Sequence, residues 1–579
     1  MKACDFIVRY LAQAAGIEHV FTFAGGTSAM MLDSIVRQGL MTVVPVRHEE
    51  NAAFAADGYA RIRRGLGLAL AMSGPGATNM ITGIAQSFFD SSPVLYLTGN
   101  VTTTTYKYDR PVRQMGYQET DIVSIARPIT KAAYFVDRVE MVPAVLRAAL
   151  REALEPRRGP TLFDVPFDVQ KLDVDEALLE VPFAFADQAR LTAEDYGRFL
   201  DALAAAARPV LLLGGGIQAA GASQQAAEFA RKLHLPVVVS LLGKDAFPND
   251  DPQYVGFIGS YGNRLANRTL AAADVVVALG TRIDSRQTGN VKLFQEGKTI
   301  VHVDVDPGVI GSTVPTAVGI NLDLRTFFRD FLAMAQESPV DWRAPRGWWR
   351  GIRRAAELLP DEEAGHNGPL DPGAFLRKLS EAQPPGTIYT GDVGNHQMWS
   401  ARRCRMKEGD RILYSGGLGT MGYALPAAVG AHFASPASPV VAILGDGGFQ
   451  MSLPELSTVC EFQVPVKLVV INNGVLGLMK NFQDENFDGL HPATVDGYRV
   501  PDVCRVAGAY DIPSRCVDRD AGVDAAIAWL GEQTGPALLE VRVSPEWGPQ
   551  PKVMPGRSLA EQRPELPAEL EQQVSEALR

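Results

Sequence analysis

The sequence predicts an α/β protein built of three doubly wound parallel-sheet domains, and three observations lead there. Short, β-branched apolar runs recur along the chain and end in glycine or a polar residue. Helix-periodic segments alternate with them. Two polar seams then divide the 579 residues into pieces of domain size. Runs such as LALAMSGPGATN, SPVLYLTGNV, RPVLLLGGGI, LPVVVSLLG, ADVVVALGTRID, PVVAILGDGG and PVKLVVINNG read as strands buried on both faces, each feeding a loop at its carboxyl end. Repeated βα units of this kind place ligands beyond the carboxyl ends of the strands.

In chain order, the opening segment MKACDFIVRYLAQAAGIEHVF has helical apolar spacing with interleaved charges. It has neither the uninterrupted apolar core nor the small-residue cleavage site of a signal peptide. The first domain runs over 1–170 and ends at the acid-rich stretch KLDVDEALLEVPFAFADQARLT. A second domain covers 190–335. The polar, proline- and glycine-containing stretch 336–370 reads as a linker, and a third domain covers 365–545. The tail 546–579 is proline-rich, then helical and charged.

Composition narrows the function classes. A formal net charge of −11, with no basic stripe to offset it, argues against nucleic acid and against polybasic membrane binding. No run of about 20 residues is apolar without a charge, so no membrane span is expected. The five cysteines lack CxxC or other metal-ligand spacing and read as reduced thiols of a cytoplasmic protein.

The strongest local signal is Gly445-Asp446-Gly447-Gly448, followed by Asn472-Asn473. An apolar strand delivers Asp446 to a strand-end loop, where the glycines let backbone amides approach an anion. Asn473 ends the neighbouring strand, so both side chains can converge on one ion. A carboxylate and an amide oxygen are hard ligands suited to Mg²⁺, and the helix following the glycines suits a diphosphate. A glycine turn alone is an ordinary βα connection; the asparagine pair on the next strand is what makes this one a site.

With these motifs in view the chain resembles the acetohydroxyacid (acetolactate) synthase family of thiamine-diphosphate enzymes. The segments SGGLGTMGYALPAAVGA and GDVGNHQMW carry the resemblance beside the Gly-Asp-Gly and Asn-Asn motifs. It implies pyrimidine-binding, central and diphosphate-binding domains. It also implies Mg²⁺ on Asp446, Asn473 and the Val475 carbonyl, and cofactor contacts from Gly394, Asn395, His396, Leu418, Met421, Leu476, Gly477 and Leu478. Met421 would be the apolar wedge that bends the cofactor. Pro75 and Asn79, in AMSGPGATN, match the loop that stacks on the pyrimidine.

Such a cofactor needs a carboxylic acid in a dry pocket beside its pyrimidine. By composition Arg47, His48, Glu49 and Glu50 all qualify as members of a charged cluster opening an alanine-rich helix; the resemblance selects Glu49. In this family the acid and the metal site come from different subunits, which implies a homodimer or tetramer. On the substrate side the resemblance assigns Gly26, Gln118 and Lys131 to the reacting 2-keto acid. FAD is implied in the central domain through Gly214, Gly215, Gly216, Arg282, Asp284 and Arg286.

The implied reaction is decarboxylation of pyruvate or a similar 2-keto acid and transfer of the two-carbon unit to an acceptor carbonyl. Two departures fall on the acceptor side: Phe482 stands where the family carries tryptophan, and Ser260-Tyr261 replace Met-His. Two alternatives therefore stay open, a carboligase with a non-keto-acid acceptor and a pyruvate oxidase-like flavoenzyme.

Overall fold

The computed structural model describes residues 1–185, 189–337, 342–359 and 368–579. It contains three six-stranded parallel sheets. The first is made of His19–Thr22 (β1), Thr42–Pro45 (β2), Gly67–Ala71 (β3), Val94–Asn100 (β4), Ala132–Phe135 (β5) and Thr161–Pro166 (β6). The second is made of Pro209–Leu213 (β7), Val237–Val239 (β8), Tyr254–Phe257 (β9), Val275–Leu279 (β10), Thr299–Asp304 (β11) and Val318–Asn321 (β12). The third is made of Ile388–Gly391 (β13), Arg411–Tyr414 (β14), Val440–Gly445 (β15), Lys467–Asn472 (β16), Ser514–Val517 (β17) and Ala537–Arg542 (β18). The central strands β3, β4, β7, β10 and β15 are buried along their whole length, as a sheet covered by helices on both faces requires.

Strand order adds what the sequence could not supply. The first sheet runs β2-β1-β3-β4-β6-β5 and the third runs β14-β13-β15-β16-β18-β17, the same order twice. The outer two domains are therefore structural repeats. The middle sheet, β12-β11-β10-β7-β8-β9, has the 3-2-1-4-5-6 order of dinucleotide-binding folds read from its other edge, with its switch point between β7 and β10.

The outer domains face each other through two helices, Glu49–Arg63 and Ala424–Ala434. They cross with Gly58 against Ala427 and Gly430 against Ala55; a Cβ at 430 would sit 1.9 Å from the Ala55 carbonyl oxygen. Pairing 55 with 430 and 58 with 427 makes the helices antiparallel, so the Arg61 end of the first meets the Tyr423 end of the second, where Arg61 donates to the Tyr423 hydroxyl at 3.1 Å.

The stretch expected as a linker differs. Its residues 338–341 and 360–367 lie outside those described, but Arg346–Leu358 is a helix. Trp348, Trp349, Ile352 and Ala355 fall on one face at three- and four-residue spacing and are buried. The tail ends in a helix, Ala568–Ala577, anchored on the central domain by Glu571, which accepts both Arg268 guanidinium nitrogens at 2.7 and 2.6 Å. Among the described residues no helix is long and apolar enough to cross a membrane.

Candidate active site

In the third domain, loops at the carboxyl ends of β13, β15 and β16 converge. Asp446 is the first residue of the helix Asp446–Ser452 and is buried. Its Oδ1 accepts the Gly447 N–H at 2.8 Å and its Oδ2 the Gly474 N–H at 2.8 Å. The Tyr498 hydroxyl donates to Oδ1 at 3.2 Å. Burial pushes the carboxyl up to about 6 against these hydrogen bonds, so the pocket favours a cation that would restore its charge.

The asparagine pair divides its work. Asn472 donates to Glu540 at 2.7 Å within the sheet, leaving Asn473 beside Asp446 with its Oδ1 turned to the Val475 N–H at 3.3 Å. No three His, Cys, Asp or Glu side chains cluster as a metal site among the described residues. A site of one carboxylate, one amide and one carbonyl would not need them.

The second loop, Gly394–His396, packs on the first: a Cβ at Gly445 would lie 2.7 Å from His396 Cε1. His396 is 5% exposed, and burial pulls its imidazole down to about 4, so it stands neutral. Its Nε2 and the Asn395 Oδ1 are buried without hydrogen-bond partners. Orphaned polar atoms at a helix start are costly unless a ligand satisfies them. Gly447 completes the cradle, because a Cβ there would lie 2.8 Å from Leu476 Cδ2 and 2.9 Å from Met421 Cε. The donor set and the orphaned atoms fit a metal-bound diphosphate.

Two contributors escaped the sequence reading. Tyr498 reaches Asp446 from 52 residues away. Asp392, fully buried, accepts the Val393 N–H at 2.8 Å and the Gly422 N–H at 3.0 Å, and it backs Gly448. It thereby ties the β13 and β15 loops to the turn that carries Met421. Its targets are backbone amides, which leave no trace in a sequence.

In the first domain the loops after β1, β2, β3 and β4 gather the other candidates. Of the four charged residues opening helix Glu49–Arg63, Glu49 alone is buried, at 5% exposure. His48 accepts the Glu50 N–H as the helix cap, and the Arg47 amide donates to Glu455 at 2.8 Å. Asn79 Nδ2 donates to Glu49 Oε2 at 2.9 Å, and Pro75 opens the short helix that carries Asn79. Gly26 starts the turn after β1, tied to the β3 loop where Thr27 Oγ1 accepts the Ser73 N–H at 2.9 Å. Gln118, with φ of 64°, stacks over Gly74 of that loop.

Lys131 does not join them. It precedes β5, at the amino-terminal edge of the sheet, and its Nζ donates to the Glu155 carbonyl at 2.7 Å. The loops that gather Glu49 lie at the opposite ends of the strands, so Lys131 is dropped from the site.

Between the domains lies a cavity of about 1300 Å³. Gly215 and Gly216 enter it at the switch point; Arg282, Asp284, Arg286, Ser260, Tyr261 and Phe482 also line it, with the Ser260 N–H donating to the Arg286 carbonyl at 2.8 Å. Gly214 lies against the Gly280 carbonyl, 2.1 Å from where a Cβ would stand, and closes the βα turn instead of lining the cavity.

Comparison with known proteins accords with this geometry. Residues 1–125 match the thiamine pyrophosphate enzyme N-terminal TPP binding domain, 197–331 the central domain, and 392–541 the C-terminal TPP binding domain. The chain is 36% identical over 525 residues to the acetolactate synthase isozyme 3 large subunit of Escherichia coli K12, covering 88% of each. It is 34% identical over 574 residues to a probable acetolactate synthase large subunit of Methanocaldococcus jannaschii, covering 96% of this chain and 94% of that one. It is 33% identical over 575 residues to the isozyme 2 large subunit of E. coli K12, covering 97% and 99%. With both cofactor-site halves present and likeness running the length of three domains, the chain belongs to the thiamine pyrophosphate enzymes, in the family of the acetolactate synthase large subunits.

Proposed function

We propose that this protein uses thiamine diphosphate and Mg²⁺ to decarboxylate pyruvate or a similar 2-keto acid and to transfer the two-carbon unit to an acceptor carbonyl. The observation that carries this reading is a divided donor set. A buried glutamate heads one helix, while the turn carrying Met421, against which Gly447 packs, meets that helix at Arg61, about 18 Å along its axis at 1.5 Å per residue. Bound thiamine diphosphate supplies the electron sink for loss of carbon dioxide.

Asp446, Asn473 and the Val475 carbonyl would hold Mg²⁺. The amides of the 446–448 turn, Asn395 and His396 would bind the diphosphate, with Gly394, Leu418, Met421, Gly477 and Leu478 around it. Glu49, buried and held by Asn79, would present its carboxyl to the pyrimidine, and Gly26 and Gln118 would orient the keto acid. Because the two halves stand at opposite ends of one helix, a working site takes Glu49 from one copy and Asp446 from another, in a homodimer or larger assembly. Exposed apolar side chains at both halves support this: Met451 and Met479 on one, Tyr117 and Phe23 on the other. The five cysteines are all free, in keeping with a cytoplasmic setting.

The central cavity suits FAD, given its strand order, its glycine turn and its arginines. Phe482, Ser260 and Tyr261 line that same cavity and favour, as second reading, an acceptor other than a keto acid.

The test is NMR of products from labelled pyruvate, alone and with candidate acceptors. Carbon dioxide and a carboligation product are expected. Glu49→Gln should bind cofactor yet lose roughly 10²- to 10⁴-fold in decarboxylation; full activity in that variant overturns the assignment.

A further inference from the structure

Helix Ile81–Phe89 of the first domain ends at Asp90, whose side chain has no solvent exposure. Its carboxylate reaches across to the third domain. Oδ1 accepts the Gly417 N–H at 2.7 Å and Oδ2 accepts the Gly416 N–H at 3.0 Å. Gln86, one turn earlier, donates to Asp90 Oδ2 at 2.6 Å and accepts the Ser415 hydroxyl at 2.5 Å. Ser415 Oγ in turn accepts the Thr420 N–H at 2.7 Å. From behind, the Arg61 guanidinium stands 3.7 Å from both Asp90 and Asp57. Three polar groups of the turn 415–420, immediately before Met421, thus rest on two side chains of another domain, and a fourth, the Thr420 N–H, rests on one of the three, the Ser415 hydroxyl.

We infer that Asp90 is a positioning residue: it sets the turn carrying Met421, and with it the shape of the cofactor site, from the first domain of the same chain. The chemistry asks for a carboxylate, since two adjacent N–H donors need two acceptor oxygens. An amide in its place would turn an NH₂ against one of them, leaving a buried donor unmatched. Asp90 and Gly416 also form part of the wall of the central cavity, so the same contact lies between that cavity and the wedge. The inference rests on Met421 being the wedge proposed above.

The experiment uses the full chain with thiamine diphosphate and Mg²⁺ as probe and compares Asp90→Asn, Asp57→Asn, Ser415→Ala and Met421→Ala. Asp57→Asn serves as control, because it removes another acidic neighbour of Arg61 and meets the chain beyond Met421, at the Tyr423 hydroxyl, but none of the groups of the turn 415–420. Cofactor affinity, the near-UV circular dichroism of bound cofactor at saturation, and the thermal midpoint of the apoprotein are measured. Asp90→Asn is expected to weaken cofactor binding at least tenfold and to change the dichroism as Met421→Ala does. Asp57→Asn should share its loss of thermal midpoint but leave the dichroism unchanged.

Ser415→Ala should move the dichroism in the same direction, and it carries the test if Asp90→Asn does not fold. An unchanged dichroism in both Asp90→Asn and Ser415→Ala overturns the inference, as does an equal change in Asp57→Asn. Absence of cofactor binding by the unaltered protein, or an unchanged dichroism in Met421→Ala, overturns instead the reading on which it rests.

Discussion

Buried carboxyl groups recur at the strand ends of this protein, and each is surrounded by donors instead of by a single counter-charge. Asp392 and Asp446 collect backbone amides. Asp164, on β6, accepts the Thr98 hydroxyl and the Asn100 amide, both at 2.7 Å. Asn100 also donates to the Thr120 carbonyl at 3.1 Å, so Asp164 braces the loop that presents Gln118. Burial is the dominant influence on Asp164 and pushes its carboxyl up to about 7, against those two hydrogen bonds. A folded value above the ordinary carboxyl range near 4 means that the folded state holds a proton which the unfolded chain releases. The stability from this group is therefore full below about pH 4 and is lost as the pH rises towards 7, at up to about 1.4 kcal/mol per pH unit. Asp164→Asn keeps one acceptor for Asn100 and one donor for Thr98. It should flatten the fall of the thermal midpoint between pH 4.5 and 7, measured by scanning calorimetry; an unchanged slope would show that Asp164 does not titrate in that window.

At the scale of the element, the strands were legible because burial on both faces forces a continuous β-branched run, and a glycine then marks the exit. The Gly-Asp-Gly and Asn-Asn motifs sit at two such exits, on adjacent strands. Helix Arg346–Leu358 was less legible, since its arginines and glycines dilute an apolar stripe that the central domain and the tail helix cover together. Asp90, Asp392 and Tyr498 could not be read at all: Asp90 meets its partners 326 and 327 residues away, and those partners are main-chain amides. The crossing of helices Glu49–Arg63 and Ala424–Ala434 was equally hidden, because alanine and glycine are ordinary in any helix. Its closeness has a measurable consequence. Gly430→Val drives a side chain into the Ala55 carbonyl and should cost about 1–3 kcal/mol, lowering the first thermal transition by several degrees. Gly531→Ala, with nothing within 4 Å of its new Cβ, is the control and should leave that transition unchanged or slightly raised. Equal midpoints for Gly430→Val and the unaltered protein would mean the two helices part easily.

At the scale of the whole molecule, the repeated strand order of the outer domains fits the divided site proposed above. Two like domains packed helix to helix within one chain bring their loops out at opposite ends of that contact. Glu49 therefore opens at one end and the Asp446 loops at the other, and on the reading proposed above a second copy brings one set against the other. This arrangement can be tested by mixing two inactive variants, Glu49→Gln and Asp446→Ala. If sites form between copies, a mixed dimer joins the altered Glu49 position to the altered Asp446 position in one site and both intact residues in the other. Random exchange of subunits makes half the dimers mixed, each with one sound site, so activity should recover to roughly a quarter of that of the unaltered protein. If each site were built from a single chain, every site in the mixture would carry one lesion and no activity would return. Co-expression from two tagged genes, tandem purification of the mixed species and a pyruvate decarboxylation assay decide between the two outcomes.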